Sequence, residues 1–355
     1  MKRAAFCLLL ISLCCTVFAQ QAEIPAFKTR EVVFHNIADS VMLSGTLTYQ
    51  QTFEPAPAIL LIGGSGATDR DGTVFGHKFL KTVAEYLSGK GFTVLRYDER
   101  GVGRSTGKAQ GADIADLTRD AKAALAFLRQ DKQVNPKKLG ILGHSEGGAI
   151  GLRLAAEDPS VKFFISMAGP GVDGVQMILA QTEAIYRNMG MKDSMVRIKV
   201  AEQRAMATAI AGEPDTTKLK ARIIANAKAQ YAANPMLKTA YTEEKFTSML
   251  ASVYMMPEYL SIIRFDPKKY FPAVKCPVLV LNGAKDIQIL SGVNLGGWRK
   301  GVPKATVKEM PGLNHLFQEC NTCSVQEYAS IKQTISPAVL EEINSWLWQT
   351  AGRRK

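Results

Sequence analysis

The chain has 355 residues, of which 46% are hydrophobic and 21% are charged, and its mean hydropathy is close to zero. This globular composition excludes a disordered chain, a collagen-like chain and a multi-span membrane protein. The net charge of +12 suggests a nucleic-acid partner, but the basic residues form no stripe with interleaved aromatic residues and no DNA- or RNA-binding motif. We therefore interpret the charge as solvated surface and expect no nucleic-acid partner.

The first residues have the pattern of a secretory signal peptide. Two basic residues precede an apolar stretch, Ala4–Val17, that is too short to span a membrane comfortably. Small residues at the −3 and −1 positions predict cleavage after Ala19, so residues 1–19 are a removable signal and the mature protein is periplasmic or secreted, with no integral membrane span. An uncleaved N-terminal anchor and lipoprotein processing at Cys14 are the alternatives.

Export also bears on the cysteines, because three of the six lie in the signal. Cys276, Cys320 and Cys323 remain in the mature chain, the last two in a Cys-x-x-Cys spacing that suits a metal half-site, a redox pair or a small disulfide loop. A structural zinc site needs about four ligands, and the sequence has no second Cys/His pair. We therefore expect a disulfide between Cys320 and Cys323 and no metal.

Predicted strands and helices alternate along most of the mature chain. Short apolar runs are typical of strands buried on both faces, and apolar residues every three to four positions are typical of amphipathic helices. The predicted strands are two within Val32–Tyr49, joined by a turn at Ala38–Ser40, then Ala58–Ile62, Phe92–Tyr97, Leu139–Leu142, Phe163–Met167, Pro277–Leu281 and Ala305–Met310. The predicted helices are Lys78–Gly89, Asp113–Asp131, Gly147–Glu157 and Pro337–Gln349. This alternation predicts a doubly wound, mostly parallel α/β sheet formed by residues 20–172 and 265–355, with ligands beyond the carboxyl ends of the strands.

Residues 173–264 interrupt the alternation. They contain no strand-like run, have helical periodicity and many alanines, and include nine of the thirteen methionines of the chain. We therefore predict a helical cap or lid inserted into the α/β domain.

The strongest chemical signal is the pentapeptide Gly143-His-Ser-Glu-Gly147, which fits the pattern G-x-S-x-G. It lies between a predicted buried strand and a helix that begins with small residues, the context that this motif requires. Such a sharp turn projects the Ser145 hydroxyl into the crevice at the helix N-terminus, where backbone N–H groups favour developing negative charge. We predict that Ser145 is a nucleophile; a structural turn serine is the alternative.

A serine nucleophile needs a base, and the order in this fold is serine, acid, histidine. Of the four histidines, His315 alone follows Ser145. The acid should follow the penultimate strand, where Asp286 lies, and its role is to orient the His315 ring and stabilise the imidazolium. Asp173, after the preceding strand, is the alternative acid. His144 adjoins the nucleophile, and we expect its side chain to point elsewhere.

The oxyanion of an acyl-transfer intermediate needs two backbone N–H donors. One is expected from Glu146, the residue after the nucleophile, and the other from the glycine-rich loop after the strand Ala58–Ile62. Ser65 is the preferred donor in that loop, and Gly64 is the near alternative.

Five segments in this order resemble the α/β-hydrolase fold superfamily and, within it, the EstD-type bacterial carboxylesterases. The segments are Ile62–Gly72, Tyr97–Ser105, Gly143–Gly147, Gly283–Gln288 and Gly312–Gln318. The resemblance implies Ser145, Asp286 and His315 as a catalytic triad, serine-esterase activity on short acyl esters, and a helical cap after the sixth strand. It also implies that the charged triplets 69–71 and 98–100 brace the loops beneath the site.

We therefore predict an exported serine carboxylesterase that forms an acyl-enzyme with a small-molecule ester and needs no metal or organic cofactor. The methionine-rich cap is expected to form the acyl-binding wall, with no individual methionine assigned. A small serine peptidase or aminopeptidase, or an acyltransferase of the same fold, is the first alternative, and a non-catalytic binding protein is the second. An aminopeptidase would need acidic residues in the cap to hold a free amine, and the predicted cap has no obvious acidic cluster. The oligomeric state stays open.

Overall fold

One eight-stranded sheet forms the centre of residues 27–351, the part of the chain that the computed structural model describes. The predicted signal peptide lies outside these residues. The strands of the chain are β1 (Lys28–Asn36), β2 (Val41–Tyr49), β3 (Ala56–Ile62), β4 (Thr73–Val74), β5 (His77–Lys78), β6 (Thr93–Tyr97), β7 (Val134–His144), β8 (Phe163–Met167), β9 (Val278–Gly283) and β10 (Thr306–Met310).

The spatial order of the sheet is β1-β2-β6-β3-β7-β8-β9-β10, and β4 and β5 form a separate short hairpin. β2 runs antiparallel to β1 and β6, and the other neighbouring strands are parallel. Strands β3, β6, β8 and β9 are buried at every residue, as expected for strands covered on both faces. β1 and β10 are the two edges.

Helices cover both faces of this sheet. They are α1 (Phe79–Gly89), α2 (Ile114–Gln130), α3 (Glu146–Glu157), α4 (Gly174–Asn188), α5 (Asp193–Gly212), α6 (Thr216–Ala233), α7 (Pro235–Ala240), α8 (Glu243–Tyr254), α9 (Pro257–Arg264), α10 (Ser291–Gly301) and α11 (Pro337–Ala351). α1 and α11 contribute to the apolar core on one face, and α2, α3 and α10 contribute to the core on the other. The predicted fold class, a doubly wound and mostly parallel α/β sheet, is confirmed.

Two strands and one α-helix were not predicted, each for a physical reason. The hairpin strands β4 and β5 have two residues each, too few to show alternation. Helix α10 contains four glycines, which lower helix propensity. Two of them are required by packing, because a Cβ on Gly297 or Gly301 would lie less than 3.0 Å from Gly171 or Phe271, respectively. Close packing therefore overrides propensity in α10.

Helices α4 to α9 lie between β8, the sixth strand of the large sheet, and β9. Their buried apolar side chains form a core of their own, with Met206, Ile210, Leu219, Ile223 and Phe246 among its members. α9 also contacts the α/β part through hydrogen bonds, because Ser261 Oγ accepts from the Ile114 N–H at 3.3 Å. In residues 27–351, no helix combines the length and the apolar character needed to cross a membrane.

Cys320 and Cys323 form a disulfide in the loop that follows His315. The carboxylate of Glu327 accepts hydrogen bonds from the backbone N–H groups of the same loop. The Asn188 side chain at the end of α4 donates to the Thr322 carbonyl at 2.8 Å, which ties this loop to the helical segment. Cys276 is unpaired among the described cysteines, and burial raises the pKa of its thiol to about 11.

Buried charges brace the loops at the carboxyl ends of the strands. Asp98 accepts from the Arg70 guanidinium at 2.7 Å and from the Arg104 N–H at 3.1 Å. In the same segment of the chain, Arg100 donates to the fully buried Asp120 at 2.7 Å and to Asp39 at 2.6 Å. An isolated buried carboxylate is costly, so each of these pairs depends on both partners.

The Arg100–Asp120 pair gives a stability prediction. Replacement of Arg100 by alanine leaves a buried carboxylate without its cation and should lower the free energy of unfolding by about 3–5 kcal/mol. Urea unfolding followed by circular dichroism measures this change. Arg104→Ala is the matched control, because the Arg104 side chain is 77% exposed, and it should change the free energy by no more than about 0.5 kcal/mol. Equal effects of the two substitutions would show that the Arg100–Asp120 ion pair does not carry this stability.

Candidate active site

Ser145 lies at a strained turn between β7 and α3. Its φ is 55° and its ψ is −118°, a left-handed φ that non-glycine residues seldom adopt. The flanking glycines make the turn possible, since a Cβ on Gly143 would lie less than 3.0 Å from the Gly147 carbonyl, and a Cβ on Gly147 less than 3.0 Å from the carbonyls of Ile62 and Gly63. Backbone packing against β3 therefore holds the serine in place.

His315 and Asp286 are in direct contact. The His315 Nδ1 lies 2.8 Å from Asp286 Oδ2, and both side chains are almost fully buried. The second carboxylate oxygen accepts from the N–H groups of Gln288 and Ile289, each at 2.8 Å, and Asn282 donates to Oδ2 at 3.1 Å. The carboxylate is thus fully hydrogen-bonded, and it orients the ring so that Nε2 points away from Asp286.

Ser145 and His315 line the same cavity, which has a volume of about 190 Å³. In the part of the chain that the structure describes, the Ser145 hydroxyl has no hydrogen bond to the His315 ring; such contacts commonly tighten only in the substrate complex. The alternative acid, Asp173, makes no hydrogen bond to His315 within the described residues. Its side chain accepts from the Gln176 N–H at 2.9 Å and caps the N-terminus of α4.

The two predicted oxyanion donors flank the serine. Glu146 is the first residue of α3, where the backbone N–H has no intrahelical acceptor, and the Ser145 side chain does not cap the helix. In the loop after β3, Thr68 Oγ1 donates to the Gly64 carbonyl at 3.0 Å. A trans peptide points its C=O and N–H in opposite directions, so this bond turns the Ser65 N–H away from Thr68. Within residues 27–351 that N–H has no acceptor.

Gly64 itself packs against the nucleophile. A Cβ at this position would lie 3.2 Å from the Cβ of Ser145 and 3.4 Å from the Nδ1 of His144. The loop therefore approaches the serine as closely as a glycine permits, and this places the Gly64–Ser65 peptide beside the Ser145 side chain.

His144 differs from the expectation that it points away from the site. Its ring packs between those of Phe79 and His315, with centroids 4.7 and 4.8 Å apart, and its Nε2 donates to the His315 carbonyl at 3.0 Å. A carbonyl only accepts, so the proton is assigned to Nε2. Burial, together with the charge of His315, lowers the pKa of His144 to about 3 and keeps the ring neutral. The position of His144 next to Ser145 in the chain was the only sequence signal for its contact with His315.

Acidic residues from three separate segments interact electrostatically next to Ser145 in the chain, through Glu146. Burial raises the pKa of Glu146 to about 7, and the charges of Glu258 on α9 and Asp113 before α2 add to the shift. Glu258 Oε2 is buried and has no hydrogen-bond partner among the described residues. The sequence showed no acidic cluster because these residues are far apart along the chain. Glu258 is the one member of this group that lies within residues 173–264, so the absence of an acidic cluster in the cap stays a prediction.

A second cavity, of about 250 Å³, lies on the helical side of Ser145. Its wall includes Met177, Ile178 and Ile262 from α4 and α9. The expectation of a methionine-rich wall is too broad, because other methionines of the helical segment are exposed; these are Met189, Met195, Met236, Met249 and Met256. In residues 27–351, no group of three or more His, Cys, Asp or Glu side chains is placed to hold a metal ion.

Comparison with known proteins relates this site to hydrolases. Esterase EstD of Thermotoga maritima is 33% identical over 108 residues, which are 30% of this chain and 26% of that protein, so the match spans about a quarter of its length. Human serine hydrolase BPHL is 29% identical over 243 residues, 68% of this chain and 67% of that protein. The crystal structure of the α/β hydrolase GrgF from Penicillium sp. sh18 superimposes with a TM-score of 0.57 at 16% identity, covering 91% of this chain and 99% of GrgF.

A family model described as "Serine aminopeptidase, S33" matches residues 76–315. This match spans α1 to His315 and includes Ser145 and Asp286. The resemblance to the α/β-hydrolase fold superfamily is confirmed, while the resemblance to EstD holds over part of the chain. Since the model covers more than half of the 355 residues, the chain belongs to the serine aminopeptidase S33 family of α/β-hydrolases.

Proposed function

We propose that this hydrolase is a serine carboxylesterase that cleaves short-acyl esters with Ser145 as nucleophile, His315 as base and Asp286 as the orienting acid. One observation carries the proposal: the His315 ring is bound by the buried Asp286 carboxylate and lines the same cavity as Ser145. A ring fixed in this way presents Nε2 to a hydroxyl, which is what a serine nucleophile needs.

The proposed reaction follows from these positions. His315 Nε2 takes the proton of Ser145 Oγ as the oxygen attacks the ester carbonyl carbon. The N–H groups of Ser65 and Glu146 stabilise the oxyanion that forms. The imidazolium then donates its proton to the alcohol oxygen as the C–O bond breaks, which leaves an acyl-enzyme. Water, deprotonated by His315, hydrolyses the acyl-enzyme and restores Ser145.

Export and a capped site are part of the same proposal. We propose that residues 1–19 direct the chain to the periplasm or the medium and that residues 173–264 act as a cap over the site. The disulfide between Cys320 and Cys323 supports export, because disulfides persist in oxidising compartments. The Met177 and Ile178 side chains on the wall of the second cavity support a role of the helical segment in substrate binding.

A second candidate function is that of an aminopeptidase. It is favoured by the group formed by Glu146, Glu258 and Asp113, since burial raises the pKa of Glu146 to about 7 and the charges of the other two carboxylates add to the shift. A protonated amine at this group would relieve the repulsion between the carboxylates. The substrate would then be an acyl group with a free amine near the scissile bond.

Substitution of Ser145 by alanine should abolish hydrolysis of p-nitrophenyl acetate, since the nucleophile is lost, and should leave the melting temperature nearly unchanged. A fluorophosphonate probe should label the wild type and not the variant. Ser248→Ala, at an exposed position on α8, is the matched control and should keep both activity and labelling. Labelling that survives the loss of Ser145 would point to another serine, and a wild type with neither activity nor labelling would favour the non-catalytic binding protein.

Asp286→Asn should lower kcat by about three to four orders of magnitude, because an amide can stabilise the wrong tautomer of His315. Asp173→Asn is a close control, since Asp173 caps α4 and asparagine caps helices equally well. Steady-state kinetics should show the control within about twofold of the wild type. A large loss in the control, with a small loss at Asp286, would reverse the assignment of the acid.

The aminopeptidase candidate predicts a pH-dependent preference for a free amine. Glu146, with its pKa of about 7, gains charge as the pH rises from 6 to 7.5, whereas an α-amine with a pKa of about 7.7–8.0 stays mainly protonated. The ratio of kcat/KM for alanine p-nitroanilide to that for its N-acetyl derivative should therefore rise several-fold over this interval. Glu146→Gln should make the ratio independent of pH, and Glu244→Gln, on the surface of α8, should not. A preference for the acetylated substrate at every pH would exclude this candidate.

A further inference from the structure

Two cavities meet at Ser145, and the residues that line them differ. Ser65, Ser145 and Gln288 line both cavities. His315 lines only the cavity of about 190 Å³, which we call the hairpin cavity because the β4–β5 hairpin forms part of its wall. The cavity of about 250 Å³, lined by α4 and α9, is called the cap cavity. An ester bound at Ser145 therefore has two separate spaces for its two halves.

The chemistry of the leaving group decides which half occupies which cavity. In the breakdown of the tetrahedral intermediate, the proton on His315 Nε2 passes to the alcohol oxygen as the bond from that oxygen to the carbonyl carbon breaks. The alcohol oxygen must therefore lie within hydrogen-bond distance of His315. Because His315 lines the hairpin cavity and not the cap cavity, the alcohol half extends into the hairpin cavity and the acyl half into the cap cavity.

An aromatic side chain stands at the tip of the hairpin. Phe75 has a φ of 50° and Gly76 a φ of 84°, so both central residues of the turn have the positive φ that two-residue hairpin turns favour. This conformation is costly for a bulky residue. The Phe75 ring meets that of Tyr328 edge to face, with centroids 5.5 Å apart, and it remains 43% exposed. The hairpin thus presents an aromatic surface at the mouth of the hairpin cavity.

The cap cavity has a different wall. Met177, Ile178, Ile262 and Phe265 give it an apolar lining, and Ile178 is half-buried at its surface. Such a lining suits an apolar acyl chain. Glu146 lies at the serine end of this cavity, so the apolar part begins beyond it.

We infer that the alcohol half of the substrate is an aryl group that packs on Phe75 in the hairpin cavity, and that the acyl half is an apolar chain held by Ile178 in the cap cavity. This assignment rests on the proposed esterase function. It goes beyond that function because it states the chemical class of each half of the substrate and the side chain that binds it.

Two ratios of kcat/KM test the assignment. The alcohol ratio compares phenyl acetate with ethyl acetate, and the acyl ratio compares ethyl hexanoate with ethyl acetate. Both ratios are normalised to the wild type, so the intrinsic reactivity of each ester cancels. Phe75→Ala should lower the alcohol ratio about tenfold and leave the acyl ratio unchanged. Ile178→Phe fills the cap cavity and should lower the acyl ratio about tenfold without changing the alcohol ratio.

Matched controls separate these effects from general damage to the fold. Phe53→Ala changes a fully exposed phenylalanine, and Ile198→Phe changes a half-exposed isoleucine on α5; neither should change either ratio. Ile178→Ala enlarges the cap cavity and should raise the ratio of ethyl octanoate to ethyl hexanoate, which tests the wall even if the phenylalanine variant fails to fold.

The outcomes are distinct. The assignment is supported if Phe75→Ala lowers only the alcohol ratio and Ile178→Phe lowers only the acyl ratio. Exchanged effects, with Phe75→Ala acting on the acyl ratio and the Ile178 variants on the alcohol ratio, would overturn it, and so would ratios that none of these variants changes. A wild type that hydrolyses the esters no faster than Ser145→Ala would overturn the proposed function itself, and the assignment with it.

Discussion

The close approach of three backbone segments at the end of β7 is the constraint on which the site depends. The turn at Ser145 has a left-handed φ, and it persists because Gly143 and Gly147 let the start of α3 pack directly on the end of β3. The same packing sets the distance between the serine and the loop that contains Gly64. A side chain at Gly147 would separate α3 from β3, and a side chain at Gly143 would separate the start of α3 from β7; either change would move the nucleophile. Strain at Ser145 and close packing around it are thus one feature of the structure.

The carboxyl groups of Asp286 and Glu146 have different surroundings. Asp286 is buried, yet both its oxygens accept hydrogen bonds, three of them from Gln288, Ile289 and Asn282. Glu146 follows the same serine in the chain, and burial, together with the charges of Glu258 and Asp113, raises its pKa to about 7. The Asp286 carboxylate, bound by these donors and by His315, is therefore placed to balance a positive charge on that ring, whereas Glu146 gains and loses its own charge near neutral pH.

Features encoded by short contiguous patterns were predictable, and features that depend on distant segments were not. The order of strands and helices, the position of Ser145 and the nearness of Asp286 to His315 follow from local patterns and from chain order in a known fold; that the three residues act as a triad stays a prediction. The contact between His144 and the His315 carbonyl depends on a ring orientation that no local pattern encodes. The acidic group has members from three segments, and the hairpin at Phe75 has strands too short to recognise.

The edges of the central sheet have a consequence for the behaviour of the protein at high concentration. An uncovered edge strand has free backbone donors and acceptors and can pair with the same strand of another copy. β1 places the exposed residues Lys28 and Thr29 at one edge, and β10 places the exposed residues Lys308 and Glu309 at the other. Like charges would face each other if two copies joined through either edge with lysine opposite lysine. Lysine at both borders of the sheet thus disfavours strand addition in that alignment.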